Sequence, residues 1–479
     1  MTSLTYRTLD GNGAALSAEA LDTLAAGVRG GVIGLDDAAY EQARRIWNAM
    51  PDRHPVLIAR CLGSRDVRHA VDFARQQRMP VSVRGGGHHI AGNAVADGGL
   101  MIDLSAMREV RVDADSRTAR VAPGALLGDV DHETQAFGLA LPTGINSTTG
   151  IAGLTLGGGF GWLTRQYGLT ADNLLSADVV TADGALHTVS VDREPDLFWA
   201  IRGGGGNFGV VTSFEFRLHP VGPSVYAGLV AYPFDQARQV LTAWRDFCAE
   251  APRELSVWSV LRQAPPLPFL PEASHGQPVV IFALLHAGDP TEGERLAQRV
   301  LAFGEVLGSH LGVQPFSAFQ AAFDPLLTPG ARNYWKTQNF ARISDGLIEA
   351  LIEATGELPG PECEVFVAQL GGAAADIAEG DTAYVGRNAN FIMNAHGRWR
   401  ETADDDRVRD WARRVFKATE PFATGGGYIN FMTEDEGQRT AGIYGRNFTR
   451  LQQIKQIYDP DNLFRINQNI PPLALAKTA

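Results

Sequence analysis

The sequence predicts an α+β fold in two parts, and three observations carry that prediction. Before about residue 220, short strand-like runs alternate with amphipathic helices. Asp183-Gly184, flanked by Val179-Val180-Thr181-Ala182 and Leu186-His187-Thr188-Val189, is a two-residue hairpin signal that breaks any pure βαβ alternation. After Pro220 the strand-like runs become longer and more apolar, with helices between them, the texture of an antiparallel sheet covered on one face.

Residues 1–50 look like a polar, helical lead-in that stops at Pro51. Ser64 can cap a helix whose apolar face is Val67, Ala70, Val71 and Ala74, after which Val81 and Val83 alternate as a strand. Strands over 100–104 and 110–112 precede a polar turn at Asp113-Ala114-Asp115-Ser116 and a return through Ala119 and Val121. A helix over 195–201 leads to a strand over 210–216. Beyond 220, strands are expected over 225–231, 255–261, 279–285, 364–370 and 390–396, with helices over 290–303 and 403–419. The last fifty residues return to aromatic, Gly- and Asn-rich loops. The expected division is therefore a lead-in over 1–50, a first domain over 51–220, a second over 221–425, and a segment over 426–479 that re-enters the first.

Composition narrows the function classes. The 479 residues, 45% hydrophobic and 20% charged, suffice for two or three well-buried cores. A net charge of -12 and a pI near 5.4 argue against nucleic acid or an anionic membrane as partner. Small molecules are the expected partners. Cys61, Cys248 and Cys363 are too few and too widely spaced for a disulfide framework or a CxxC metal site, so no metal is expected. Residues 1–26 lack a basic stretch followed by an apolar one, and no run of about 18 apolar residues occurs, so the cytoplasm is the default compartment. Arginine supplies nearly all the positive charge, a bias associated with GC-rich bacterial genomes.

Glycine is the outlier: its 53 residues are about 11% of the chain against roughly 7% in average proteins. The excess gathers in three loops, Arg84-Gly85-Gly86-Gly87-His88, Leu156-Gly157-Gly158-Gly159-Phe160-Gly161 and Arg202-Gly203-Gly204-Gly205-Gly206-Asn207-Phe208-Gly209. A glycine run after a strand is most often only a turn. Three such loops in one half of the chain suit one long ligand, because loops without Cβ atoms let backbone N–H groups converge on a pyrophosphate. The first loop also ends in an imidazole that can be alkylated.

Familiar motifs are excluded by context. Gly204-x-Gly206-x-x-Gly209 matches the dinucleotide fingerprint but has a helix before it and a strand after, the reverse of a Rossmann site. Gly-Lys never occurs, so there is no Walker loop; Gly-x-Ser-x-Gly is absent, and His132-Glu133 has no second His four residues on.

The motifs, in their order, resemble the FAD-linked oxidases of the vanillyl-alcohol-oxidase or p-cresol-methylhydroxylase type, and among them the berberine-bridge-enzyme-like branch. The resemblance rests on Val83-Arg84-Gly85-Gly86-Gly87-His88 with Ile102-Asp103-Leu104, Leu141-Pro142-Thr143-Gly144, the second glycine loop, and Tyr167-Gly168-Leu169 with Asp172-Asn173. It continues through 196–212 to Tyr444-Gly445-Arg446-Asn447, Tyr458-Asp459-Pro460-Asp461-Asn462-Leu463-Phe464 and Asn467-Gln468-Asn469-Ile470. What it implies is a p-cresol-methylhydroxylase-type FAD-binding domain of two subdomains beside a substrate domain, His88 bonded to the flavin 8α-methyl carbon, and His89 as the rival anchor.

By the same resemblance, FAD is contacted by Arg84, Gly85, Gly86, Gly87, His88, His89 and Asn93; by Pro142, Thr143, Gly144, Thr148, Thr149, Gly150, Gly153 and Leu154; and by Gly157, Gly158, Gly159, Phe160, Gly161 and Leu163. Gly168, Asp172, Asn173, Gly209, Val210, Val211, Tyr444, Asn447, Asn467 and Asn469 complete that set. Many relatives add a second link from a Cys; here Asn146 stands in that segment, which implies a single link, as in hydroxynicotine-oxidase-like members. Thr149 falls where the family controls oxygen access, and its small size implies reaction with O2.

The expected reaction is hydride transfer from a small organic substrate, a secondary metabolite, aromatic compound, alcohol or amine, to FAD and then to O2, giving hydrogen peroxide. A carbohydrate or alcohol oxidase, or a dehydrogenase that does not use oxygen, is the alternative. The base stays open: alternation over 390–396 puts Asn394 and His396 on one face, where no carboxylate sits. Tyr428 and Asn430 form the family's Tyr-x-Asn motif and Tyr444 its Tyr-Gly motif; a tyrosine beside oxidised flavin can have a lowered pKa. The sequence leaves monomer or homodimer undecided.

Overall fold

The computed structural model describes residues 4–473. The α+β class holds, with five sheets among the described residues. In the first half, helix Ser64–Gln77 buries Val67, Ala70, Val71 and Ala74 at the predicted spacing and adds Phe73. It stops at Arg78, which takes the left-handed conformation (φ 49°) and donates its N–H to the last carbonyls. The chain then enters Val81–Arg84, part of a four-stranded sheet in the order Val32–Gly34, Leu57–Arg60, Leu100–Asp103, Val81–Arg84. The last three strands are parallel.

A five-stranded antiparallel sheet follows, in the order Leu186–Ser190, Leu174–Val180, Val210–Arg217, Thr118–Val121, Val110–Asp113. The hairpin forms where the sequence asked for it. Val180 pairs with Leu186, Gly184 takes φ 80°, and Asp183 Oδ1 accepts from Ala185 N (3.0 Å) and Thr181 Oγ1 (2.6 Å).

The lead-in differs from expectation. Among its described residues only Ala18–Gly27 and Tyr40–Arg44 are helical; Leu4–Arg7 pairs with Gly13–Leu16, and Val32–Gly34 adds antiparallel to Leu57–Arg60. A three-residue run such as Val32-Ile33-Gly34 carries no period of its own and becomes a strand only because a sheet edge is there to pair with it.

The second half is a seven-stranded antiparallel sheet in the order Gly308–Pro315, Ser224–Pro233, Pro278–His286, Leu255–Gln263, Glu364–Gln369, Phe391–Trp399, Arg332–Phe340. Helices Ala237–Glu250, Pro290–Leu301, Asp345–Gly356 and Asp405–Thr419 cover one face over a core that includes Trp244, Phe282, Leu347 and Trp411. The other face turns to the first half, where Trp258, Ala368 and Ile392 meet Phe160, Trp162 and Tyr428. The strands Gly308–Pro315 and Arg332–Phe340 were not anticipated. Helix Phe448–Tyr458 then brings the chain back against Pro195–Ile201.

Among the described residues, no helix is long and apolar enough to cross a membrane, and no group of His, Cys, Asp and Glu could hold a metal ion.

Candidate active site

A cavity of about 540 Å³ lies between the two halves. One wall is main chain: Gly85, Gly86, Gly87, Gly150, Gly153, Gly205, Gly206 and Gly209 line it, with Phe464, Asn467 and Gln468 from the C-terminal segment. Two of these glycines also pack loop on loop. A Cβ on Gly86 would lie 2.4 Å from the backbone N of Gly150, and one on Gly150 would lie 2.3 Å from the N of Gly86, so neither loop can carry a side chain there.

His88 stands at the head of this wall. Its ring stacks on Trp47 with centroids 4.4 Å apart, and its Nε2 lies 3.1 Å from Thr148 Oγ1. The Thr148 hydroxyl spends its proton on Asn146 Oδ1 (2.6 Å), which can only accept. Nε2 of His88 therefore carries the hydrogen, and Nδ1 keeps the lone pair. Burial, with the Arg398 charge adding to it, pushes the His88 imidazole down to about 3, so the ring is neutral. His89 is pushed down to about 4 by burial and Arg53, and its Nδ1 accepts from Ala91 N (3.2 Å).

The opposite wall is built of side chains on the seven-stranded sheet. Strand register sets Arg262 against Glu364, Glu364 against His396, and His396 against Trp335, and all four line the cavity. Arg262 donates to Glu364 Oε2 (2.7 Å), and Glu364 Oε1 lies 3.4 Å from His396 Nδ1. The absence of a carboxylate from the face of 390–396 thus misled: Glu364 arrives from the neighbouring strand, placed by a register that no local pattern reveals. Burial raises the Glu364 carboxyl, but Arg262, His396 and Arg398 outweigh it and hold it at about 2. His396 is lowered by burial, against the pull of Glu364. Its Nε2 is buried without a partner. Around this row stand Trp162, Trp258, Phe323, Phe366 and Phe431.

Of the other sequence candidates, Asn93, Gly144, Thr149, Leu154, Phe160, Val210, Val211, Tyr428 and Asn430 also reach the cavity. The rest lie behind it. Arg84 clamps Asp103 through two donors (2.9 and 2.5 Å), and Thr143 Oγ1 accepts from Gln320 Nε2 (3.1 Å). The Pro142 carbonyl accepts from Thr170 Oγ1 (2.6 Å), Gly161 packs on the Thr143 carbonyl, and Leu163 joins the apolar seam between the halves. Gly157, Gly158 and Gly159 pack on Asn430, Tyr384 and Thr170; Gly168 packs on Asp172. Asp172 is ion-paired with Arg387, both nearly inaccessible, and Asn173 ties Tyr167 and Leu169 through their carbonyls. Asn447 donates to the Thr382 and Ala383 carbonyls, and Asn469 keeps an unpaired Oδ1 outside the wall.

Tyr444 is off the wall as well, donating to the Gly203 carbonyl (3.4 Å), and burial pushes its phenol up rather than down. Tyr428 accepts from Gly159 N (3.2 Å) and Asn430 Nδ2 (2.9 Å), which offset only part of the upward push of burial. Asn394 is fully buried with both side-chain polar atoms unpaired. No pattern in the sequence marks Trp47 as a wall residue. It holds its place by donating to the Leu327 carbonyl (2.9 Å), while Asn48 beside it bridges the Ile90 and Asn333 carbonyls.

Comparison with known proteins accounts for the glycine wall. A family model described as an FAD binding domain matches residues 55–190, and one described as berberine and berberine like matches 427–471. An FAD-linked oxidoreductase of Dictyostelium discoideum is 32% identical over 91% of this chain and 93% of its own length. The chain belongs to the berberine-bridge-enzyme-like FAD-linked oxidoreductases. To this FAD-linked oxidoreductase, (R)-6-hydroxynicotine oxidase of Paenarthrobacter nicotinovorans is 31% identical over 93% of the chain and 97% of its own length. The solved 6-hydroxy-D-nicotine oxidase of Arthrobacter nicotinovorans superposes with a TM-score of 0.83 at 29% identity, covering 92% of this chain and 98% of that one. A berberine-bridge-enzyme-like protein of Physcomitrella patens reaches 0.86 at 24% identity, a likeness of fold.

The residues present fit FAD. The glycine wall admits a ligand to main-chain distance, and Asn467, which lines it, keeps a buried Oδ1 without a protein partner. Such an orphan acceptor suits a ligand donor.

Proposed function

We propose that this enzyme is an oxidase that carries FAD on His88 through a single bond to the 8α-methyl carbon, oxidises a small aromatic alcohol or amine, and reduces O2 to hydrogen peroxide. In this reading residues 51–220 and 426–479 hold the cofactor and 221–425 the substrate. The observation that carries it is one cavity with a neutral imidazole, His88, on its glycine wall and a second, His396, whose Nε2 has no partner, among aromatic rings on the other. FAD supplies the hydride acceptor and the route of electrons to O2.

The chain's own residues supply the rest. The Nδ1 lone pair of His88 is the nucleophile for the link, and Asn146, where many relatives carry a Cys, offers no second one. Nε2 of His396 is the acceptor for the substrate proton, and Thr149 is small enough to leave oxygen a path. Trp258, Phe366 and Phe431 favour an aromatic substrate over a carbohydrate, because a sugar needs polar partners along its length and the charged groups here gather in one row.

The test is a visible spectrum before and after acid precipitation. A yellow pellet whose flavin maps to the His88 peptide is expected; in His88→Ala the colour should move to the supernatant. Colour in the wild-type supernatant would remove the covalent link, and reduced flavin that stays reduced in air would make the enzyme a dehydrogenase.

A further inference from the structure

We infer that Glu364 is a positioning residue for His396: its carboxylate holds the hydrogen on Nδ1, which leaves the Nε2 lone pair facing the cavity to receive a substrate proton. The inference rests on the proposed reading, in that His396 needs a proton to receive. In that step an O–H or N–H proton passes to Nε2 and the hydride of the adjacent C–H passes to FAD, so the carbon is oxidised by two electrons and becomes a carbonyl or imine.

Three observations support the assignment independently of any ligand. Glu364 and His396 are direct cross-strand partners, so their separation is fixed by main-chain register rather than by mobile side chains. Arg262, itself the register partner of Glu364, occupies Oε2 at 2.7 Å and turns Oε1 to His396 Nδ1 at 3.4 Å. His396 Nε2 is buried with no protein partner, while its ring is braced edge-on by Trp335 at 4.5 Å. A carboxylate behind a neutral imidazole selects the Nδ1–H tautomer, because the anion accepts and cannot donate.

Electrostatics around the ring give the sign of the effect. Arg398 on its own strand and Arg262 two strands away disfavour the imidazolium, and Glu364 alone opposes them. Glu362 and Arg400 lie farther along, and Glu362 is ion-paired with both Arg398 and Arg400. Removing the Glu364 charge therefore takes away the carboxylate that acts on the ring against Arg262 and Arg398.

The experiment is histidine-ring ¹⁵N and ¹³C NMR of FAD-loaded enzyme with selectively labelled histidine, the His396 signals being identified by their loss in His396→Gln. The wild type is expected to show the Nδ1–H tautomer. In Glu364→Gln the His396 midpoint should fall by about one pH unit or more, and Glu364→Asp should recover part of that fall. An Nε2–H tautomer in the wild type, or an unmoved midpoint in Glu364→Gln with flavin still bound, would overturn the assignment. Neither result depends on catalysis, so failure here is distinct from a colourless pellet or an inactive enzyme.

Discussion

The two walls of the cavity are made by different means. The glycine side is main chain, bare at Gly85, Gly86, Gly150, Gly205 and Gly206, and its loops touch each other backbone to backbone. The sheet side is side chain, set out in rows by strand register, as in Arg262, Glu364, His396 and Trp335. A main-chain wall suits a ligand that never changes, because no substitution can adjust it without moving the loops. A sheet-borne wall suits a ligand that varies across relatives, because each side chain can be replaced while the ladder beneath it stays.

The largest break should come from Lys455, which lies behind the glycine wall. Its buried ammonium donates to the Asn207 and Phe464 carbonyls (2.6 and 3.0 Å) and to Asp459 Oδ2 (2.6 Å). Lys455→Met strands Asp459 as a buried, unbalanced charge and should cost about 3–5 kcal/mol, read as a lower thermal midpoint together with lost flavin. An unchanged midpoint would show that the pin is idle. Next comes Gly86→Ala, whose methyl must displace the Gly150 backbone; overpacking of this kind costs about 1–3 kcal/mol and should lower flavin content per chain, measured by absorbance. Retention of full flavin content would contradict the close approach of the two loops.

The seam between the walls should carry a pH dependence. Asp131 on helix Leu127–Gln135 accepts from Gln320 Nε2 (3.2 Å) of the other half, and burial, eased by Gln320 and reinforced by Asp324, pushes its carboxyl up to about 7. The folded state therefore holds a proton that the unfolded chain releases near pH 4. Stability from this site is complete below about pH 4 and is lost as pH rises through 7. Asp131→Asn should flatten that part of the midpoint-against-pH curve; a parallel curve would clear Asp131. The smallest effect belongs to the sheet wall. Phe366→Leu should cost less than about 1.5 kcal/mol and leave flavin content intact while weakening substrate binding, so a loss of flavin there would erase the contrast.

The same contrast explains what the sequence discloses. The glycine loops, the hairpin at Asp183-Gly184 and the helix from Ser64 are local patterns, and each forms where its residues demand it. The strand Arg332–Phe340 hides because Asn333 and Lys336 look like surface residues; Lys336 is buried only because Asp435 (2.9 Å) and Glu436 (3.3 Å) meet it from a hundred residues away. Glu364 escapes for a related reason: its neighbour His396 is defined by register, not by spacing along the chain. Trp47 lies in a stretch with no period, and only the folded chain lays it on His88.

Phe464, Asn467 and Gln468 line the glycine side of the cavity, and Lys455 fastens their segment to a loop made some 250 residues earlier. A ribosome still holding those residues in its exit tunnel presents a half-built cradle. The glycine loops thus become a finished cradle only after that later segment has been made.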